Sequence, residues 1–120
     1  TWNVNSIVEC VFKNILVRYK EDLWKFIEES KKYIKKEREY LVNRIRGIGY
    51  HVYKSRTNFI LLKHKWISSE YLKEFILEKY KILVRPAYSF YGLNQYYTRI
   101  SVRRHNENIL MVKALEELSP

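Results

Sequence analysis

The segment from Asp22 to Arg46 restricts the fold of this chain more than any other segment. Its apolar side chains recur at intervals of three, four and seven residues, as expected for a helix that turns one face toward a core. These side chains are Leu23, Phe26, Ile27, Ile34, Leu41 and Ile45. Gly47 and Gly49 follow, and glycine is common where a helix ends. The pattern predicts one long amphipathic helix over about residues 22–46.

The remaining elements predict an α+β domain in the order ααββαββα, with a small, mostly antiparallel sheet covered by helices. The predicted helices lie near residues 6–19, 22–46, 68–80 and 105–118, and the predicted strands near 50–54, 58–63, 82–85 and 97–103. A chain of 120 residues, 47% of them hydrophobic, fits a single domain over residues 1–120.

Three details of this prediction depend on particular residues. Ser6, with Glu9 three residues later, has the pattern of a helix N-cap with a capping box. The apolar run from Phe59 to Leu62 suggests a strand that is covered on both faces. Pro86 is expected to end the third strand, because proline has no N–H to donate to a neighbouring strand.

The formal net charge of +10 raises the question of a polyanionic partner. The densest basic run, from Lys31 to Arg38, is interleaved with glutamates such as Glu37 at spacings that allow pairing along a helix. This interleaving favours a solvated helix face over nucleic acid or another acidic partner. A basic nucleic-acid-binding module remains the alternative of another class, although the sequence has no RNP-type or helix-turn-helix motif.

The single Cys10 cannot form an internal disulfide, and its apolar neighbours predict a buried structural thiol. One cysteine without a disulfide framework fits a reducing compartment, so we expect a cytoplasmic protein. No apolar run approaches the roughly 20 residues that span a bilayer, and the first residues do not resemble a signal peptide. His51, His64 and His105 lack metal-ligand spacing, and surface or capping roles are expected for them.

The last two predicted strands carry arginines on one face. If Ile100 and Val102 point inward, Arg99 and Arg103 point the opposite way, and the same alternation turns Arg85 outward in the third strand. If the two strands are neighbours, these three arginines form a cationic patch. The parallel N–H donors of a guanidinium match the two oxygens of a carboxylate or phosphate. The pattern leaves open whether the patch binds an anion or is a solvated surface paired with acidic residues.

A series of short motifs runs along almost the whole chain. They are Trp2-Asn3-Val4-Asn5-Ser6, Arg38-Glu39-Tyr40-Leu41, Ser55-Arg56-Thr57-Asn58-Phe59-Ile60-Leu61, Ile82-Leu83-Val84-Arg85, Phe90-Tyr91-Gly92-Leu93, Arg99-Ile100-Ser101-Val102, Glu107-Asn108-Ile109-Leu110 and Ala114-Leu115. In this order they resemble the C-terminal part of the class I and II aminotransferase family. The members they resemble most are histidinol-phosphate aminotransferases and threonine-phosphate decarboxylases.

The resemblance implies the small domain of an enzyme with the aspartate-aminotransferase fold, which uses pyridoxal 5'-phosphate (PLP) between the large and small domains of a homodimer. Arg99 maps onto the arginine that binds the substrate α-carboxylate, and Arg85 onto one that meets a distal phosphate. The lysine and aspartate that bind PLP map to a large domain upstream of Trp2. No lysine of this chain is therefore expected to bind PLP, and the chain alone is expected to be inactive. For Asn58 and Trp2 a structural part is expected rather than contact with ligand.

The resemblance also bears on the substrate, which is expected to be a phosphorylated amino acid. Arg103-Arg104 stands where the aminotransferases usually have Gly-Thr, and resembles the threonine-phosphate decarboxylases of cobalamin biosynthesis. Ser89 and Tyr91 depart from the Asn and Arg common in those decarboxylases, and Pro86 is also unusual. A histidinol-phosphate aminotransferase of histidine biosynthesis is the alternative.

Arg103 has two expected roles that the sequence does not separate. Beside Arg99 on the same strand face, it would add a cation that favours a compact dianionic substrate such as threonine phosphate. It would instead be an ordinary surface residue if it pairs with Glu107 near the start of the last helix.

Overall fold

The computed structural model describes residues 5–120, whose elements follow the predicted order. The helices are α1 (Ser6–Arg18), α2 (Lys20–Gly47), α3 (Ser69–Tyr80) and α4 (His105–Glu116), and the strands are β1 (His51–Val52), β2 (Phe59–Lys63), β3 (Arg85–Pro86) and β4 (Tyr97–Ser101). The strands form one antiparallel sheet in the order β1-β2-β4-β3. The predicted α+β class is confirmed, while Trp2 lies outside the described residues.

The chain divides into two compact units, of which the first comprises residues 1–33. Its described part contains α1 and the beginning of α2. The side-chain oxygen of Asn5 accepts the N–H of Val8 at 2.9 Å, so Asn5 caps α1 and the predicted cap at Ser6 is wrong by one residue. The prediction of a buried Cys10 is also wrong, because α1 has no buried residue and the thiol is exposed.

The second unit, residues 34–120, contains the core. Alternate residues of β2 and β4 point into it and meet apolar side chains of the helices. The largest of its fully buried apolar side chains are Leu41, Ile45, Ile60, Leu62, Leu72, Ile76, Ile100 and Leu115. Burying each of these side chains contributes roughly 1.5–3 kcal/mol, so this layer holds the helices of the unit to one face of the sheet.

The opposite face of the sheet is less buried than the core face within residues 34–120. In β2 the buried residues Ile60 and Leu62 alternate with the half-buried Phe59 and Leu61. Within residues 34–120 this strand is therefore fully buried on one face only, and the predicted cover on the second face is partial. The face that carries Phe59 and Leu61 is called the open face below.

The third strand begins later than predicted. Lys81 has the left-handed φ of 57° at the C-cap of α3, and the N–H of Ile82 donates to the carbonyl oxygen of Ile76 at 3.5 Å. These residues therefore complete the end of the helix. Pro86 does not end the strand as predicted but lies inside it, opposite Thr98. Because β3 is an edge strand, it can contain a residue that has no N–H to donate.

Glu37 is buried, contrary to its placement on a solvated helix face, with 2% of its surface exposed. One oxygen of its carboxylate accepts a hydrogen bond from Asn108 Nδ2 at 2.9 Å and lies 3.0 Å from His105 Nδ1. Asn108 is itself buried, and its side chain also bonds both the N–H and the carbonyl oxygen of Arg103. Through these bonds Glu37 connects α2 to α4 and to the segment that follows β4.

His64 is buried as well, with 1% of its surface exposed, although a surface or capping position was expected. Its Nδ1 lies 2.9 Å from the carbonyl oxygen of Ile67, and its Nε2 lies 3.1 Å from the hydroxyl of Thr98. A neutral imidazole fits both contacts, since Nδ1–H can donate to the carbonyl while Nε2 accepts from the hydroxyl. Burial lowers the pKa of His64 below 6.5, and the Ile67 carbonyl offsets part of that effect.

The lowered pKa of His64 predicts a loss of stability in mild acid. Below pH 6.5 the unfolded chain binds a proton that the folded imidazole resists, so stability is full above that pH and falls as the pH decreases toward the folded pKa. Urea unfolding at pH about 7.5 and about 5.5 measures this loss above the range in which ordinary carboxylates titrate. The loss should be smaller in His64→Gln than in the wild type, whereas the exposed His51→Gln should retain it. Equal losses in wild type and His64→Gln would contradict the prediction.

Candidate anion-binding site

The acidic residues of the chain are confined to its helices. All 13 Asp and Glu residues lie within the four helices or, in the case of Glu117, at the C-cap of α4. Residues 48–68 and 81–104, which contain the sheet and its loops, have no acidic residue. Their basic residues besides histidine are Lys54, Arg56, Lys63, Lys65, Lys81, Arg85, Arg99, Arg103 and Arg104. The sheet is therefore the basic part of the molecule.

Two arginines face each other on the open face. Arg85 of β3 and Arg99 of β4 are direct partners in the antiparallel register. Like charges at directly opposite positions destabilise a pair of strands. Within residues 5–120 neither guanidinium forms an ion pair with a carboxylate. The arrangement is thus unfavourable for folding by itself, and an anion in contact with both arginines would offset the repulsion.

Two phenylalanine rings lie beside these guanidiniums. The Cζ atom of Arg99 is 4.7 Å from the ring centroid of Phe59 and 5.9 Å from that of Phe90. The Cζ atom of Arg85 is 5.0 Å from the centroid of Phe90. A ring attracts a guanidinium through cation–π contact without neutralising its charge. The positive charge therefore remains available to a carboxylate or phosphate.

Arg99 lines two shallow cavities. One, of about 260 Å³, is shared with Arg85, Pro86 and Ser101 among others. The other, of about 250 Å³, is shared with Tyr53, Lys54, Ser55, Thr57, Phe59 and Leu61. Arg99 is half-buried in the inner strand β4, whereas Arg85 is exposed in the edge strand β3. A ligand can therefore approach Arg99 from two sides.

Arg103 is placed differently from the other two arginines. It follows β4, and its Nη2 and Nε lie 2.9 and 3.1 Å from the same oxygen of Glu107. The hydrogen bond from Arg103 helps to hold the pKa of Glu107 below its ordinary value. The structure thus brings Arg85 and Arg99 together and pairs Arg103 with Glu107, which was the alternative expectation. A role for Arg103 in binding substrate stays a prediction.

The sequence reasoning missed two tyrosines on the open face. The hydroxyls of Tyr53 and Tyr97 lie 3.5 Å apart, and Lys63 Nζ lies 5.3 Å from the ring centroid of Tyr97. Hydrogen bonds from Tyr53 and then Lys63 lower the pKa of Tyr97, while the bond to Tyr97 raises that of Tyr53. Tyr97 stands two residues before Arg99 in the same strand, so the alternation that placed Arg99 could also have placed Tyr97.

The described residues offer neither a metal site nor an enclosed lysine. No group of three or more His, Cys, Asp and Glu side chains in residues 5–120 could hold a metal ion. None of the lysines in that range is buried. The same residues contain no helix with the length and apolar character needed to cross a membrane.

Proteins of one family are similar to this chain in sequence and in architecture. The profile of the family described as aminotransferase class I and II matches residues 4–115. A histidinol-phosphate aminotransferase from Methanosphaera stadtmanae is 36% identical over 97 residues, which cover 78% of this chain and 26% of that protein.

Two solved structures extend the comparison. The histidinol-phosphate aminotransferase from Clostridium acetobutylicum superimposes with a TM-score of 0.81 at 29% identity, over 98% of this chain and 34% of that one. The L-threonine-O-3-phosphate decarboxylase from Porphyromonas gingivalis gives a TM-score of 0.61 at 36% identity, over 70% of this chain and 27% of that one. The chain thus spans about a third or less of the length of the proteins it matches.

Proposed function

This chain belongs to the class I and II aminotransferase family, and on that premise we propose that it is the small domain of a PLP-dependent enzyme and supplies the arginines that bind an anionic substrate. The observation that carries the proposal is the arginine pair. Arg85 and Arg99 face each other in register on the open face, without a carboxylate partner in residues 5–120. Charge-assisted bonds to a shared anionic ligand would offset their repulsion.

The positions of the two arginines support different tasks. We assign the substrate α-carboxylate to Arg99, because it is half-buried in the inner strand and lies closest to a ring, that of Phe59. We assign the distal phosphate to Arg85, which is exposed at the edge of the sheet. Holding the carboxylate fixes the orientation of the bonds at the substrate Cα atom. When bound, PLP supplies the electron sink for the reaction.

We assign PLP itself to the large domain of the same enzyme. The described residues do not fit a covalent PLP site, since none of their lysines is buried. The part of this chain is therefore to bind and orient the substrate.

The exposed apolar side chains of α1 support a partner domain. They are Ile7, Val8, Val11, Phe12, Leu16 and Val17, each at least 41% exposed. An exposed apolar patch of this kind marks an interaction surface. We propose that the large domain of the same enzyme covers it, since the relatives are about three or more times as long as this chain. By family resemblance the whole enzyme is proposed to be a cytoplasmic homodimer.

We propose threonine phosphate as the substrate, with loss of carbon dioxide as the reaction. This compact amino acid carries a carboxylate and a phosphate, which are two anionic groups for two arginines. Histidinol phosphate carries a phosphate but no α-carboxylate, so it would use the pair less well. Transamination of histidinol phosphate is the alternative, and proteins named for both activities resemble this chain.

The substrate is tested on a full-length enzyme that contains this chain and is offered both phosphorylated compounds. We expect carbon dioxide release from threonine phosphate. Arg103→Ala should lower kcat/KM about two- to fivefold, because an exposed charge contributes at most about 1 kcal/mol. The neighbouring exposed Arg104→Ala is the matched control and should have less effect. Transamination of histidinol phosphate with 2-oxoglutarate, unaffected by Arg103→Ala, would favour the alternative.

A further inference from the structure

Phe90 lies close to both members of the arginine pair. Its ring centroid is 5.0 Å from Arg85 Cζ and 5.9 Å from Arg99 Cζ, although the ring belongs to neither strand. The ring is 40% exposed and comes from the connection between β3 and β4. One aromatic side chain therefore attracts two guanidiniums whose strand positions oppose each other.

The backbone holds Phe90 at this place. Its N–H donates to the carbonyl oxygen of Ala87 at 3.1 Å, and its own carbonyl oxygen accepts the N–H of Leu93 at 3.1 Å. The second of these turns contains Gly92 with a φ of 80°, a conformation that glycine adopts without strain. Ala87 is in turn anchored to β4, because its N–H donates to the carbonyl oxygen of Tyr97 at 2.9 Å.

A long arginine side chain has many rotamers, and two such side chains repel each other at neighbouring positions. A fixed ring within cation–π range of both reduces this freedom and leaves the positive charges in place. Phe59 adds a second contact to Arg99 but none that is described to Arg85. Phe90 is thus the residue that couples the two side chains.

We propose that Phe90 is a positioning residue of the anion site, which holds Arg85 and Arg99 side by side for one ligand with carboxylate and phosphate groups. This inference rests on the proposed function, because it presupposes that the arginine pair binds an anion. An aliphatic side chain in place of Phe90 should increase the mobility of both guanidiniums and weaken binding of the anion. Another aromatic side chain at this position should preserve that binding.

The test follows the side-chain Nε–Hε signals of Arg85 and Arg99 by NMR in the ¹⁵N-labelled chain, titrated with O-phospho-L-threonine. Phe90→Leu should lower the order parameters of both signals in the free protein and weaken binding about five- to thirtyfold, the value of two cation–π contacts. Phe90→Tyr should bind within about twofold of wild type, and Phe90→Trp, with the stronger ring, at least as tightly. Phe26→Leu, at an exposed ring of α2, is the matched control.

The outcomes separate this inference from the proposed function. If Arg99→Lys weakens binding but Phe90→Leu stays within twofold of wild type, the positioning role is wrong and the arginine site stands. If the ligand shifts neither arginine signal in wild type, both are overturned. A Phe90→Leu variant without a dispersed backbone spectrum is unfolded, and the decision then rests on Phe90→Trp. If Phe90→Trp binds the ligand more than twofold more weakly than the wild type, the proposal is contradicted.

Discussion

Arg99→Lys in the full-length enzyme is expected to weaken the binding of threonine phosphate by about 1.5–3 kcal/mol, a loss of roughly one to two orders of magnitude in affinity. A guanidinium presents two parallel N–H donors to a carboxylate, and Arg99 Cζ lies 4.7 Å from the ring centroid of Phe59. The ammonium of lysine retains the charge but loses the parallel donors. The rise in the dissociation constant should therefore be large although no charge is removed.

The matched control is Arg44→Lys. Arg44 lies in α2 and forms an ion pair with Glu116 of α4, a contact that lysine can also make, so this change should leave substrate affinity unaltered. A calorimetric titration of both variants and the wild type gives the comparison. An Arg99→Lys enzyme that binds the substrate within twofold of wild type would contradict the assignment of Arg99 to the carboxylate.

Local periodicity was enough to predict the order of the elements and the direction of Arg99. In β4 the burial of Ile100 leaves Arg99 on the opposite face, because successive residues of a strand alternate. The apolar stripe of α2 was likewise visible in its later part, where Leu41 and Ile45 are fully buried, but its member Phe26 is exposed and the prediction that it faces a core is wrong for the described residues. These features follow from short-range geometry and from the need to bury apolar surface.

The predictions that were wrong concern features that depend on residues distant in sequence or on an unusual residue at a particular backbone position. The start of β3 was misplaced because Lys81, rather than glycine, takes the left-handed position after α3 and the N–H of Ile82 still bonds back to that helix. Pro86 was taken as a stop because nothing in the sequence says that β3 is an edge strand. The position of Phe90 beside two arginines depends on two turns in the loop and on the strand register. Neither the turns nor the register can be predicted from the periodicity of apolar residues.

The position of Glu37 in the sequence indicated burial, although the charged residues around it indicated a solvated face. It stands three residues after Ile34 and four before Leu41, so it occupies the gap in the apolar stripe of α2. The neighbouring lysines and glutamates made it appear to be one more member of a solvated face. A carboxylate at a stripe position predicts a buried partner, and here the partners are Asn108 and His105.

Glu37→Leu is expected to destabilise the chain by roughly 2–4 kcal/mol, because it leaves one N–H of the buried Asn108 amide without its acceptor while the other still bonds Arg103. Glu37→Gln should lose less, since an amide oxygen can still accept that hydrogen bond. Burial raises the pKa of Glu37, but the hydrogen bonds from Asn108 and His105 outweigh it and the pKa lies below 4.5. The stability that ionised Glu37 provides is therefore present above that pH and lost as the pH falls through the folded pKa.

Urea unfolding of Glu37→Leu, Glu37→Gln and the exposed Glu39→Gln at neutral pH measures these differences. Glu39 lies two residues away on the same helix, so its variant controls for the loss of one negative charge in a basic protein. Glu39→Gln should change the free energy of unfolding by less than about 0.5 kcal/mol, as is usual for surface positions. If Glu37→Leu were no more destabilising than that control, the buried carboxylate would not be the link between α2 and α4. Because Asn108 also holds the backbone of Arg103 at the end of β4, the expected loss would extend to the strand that carries Arg99.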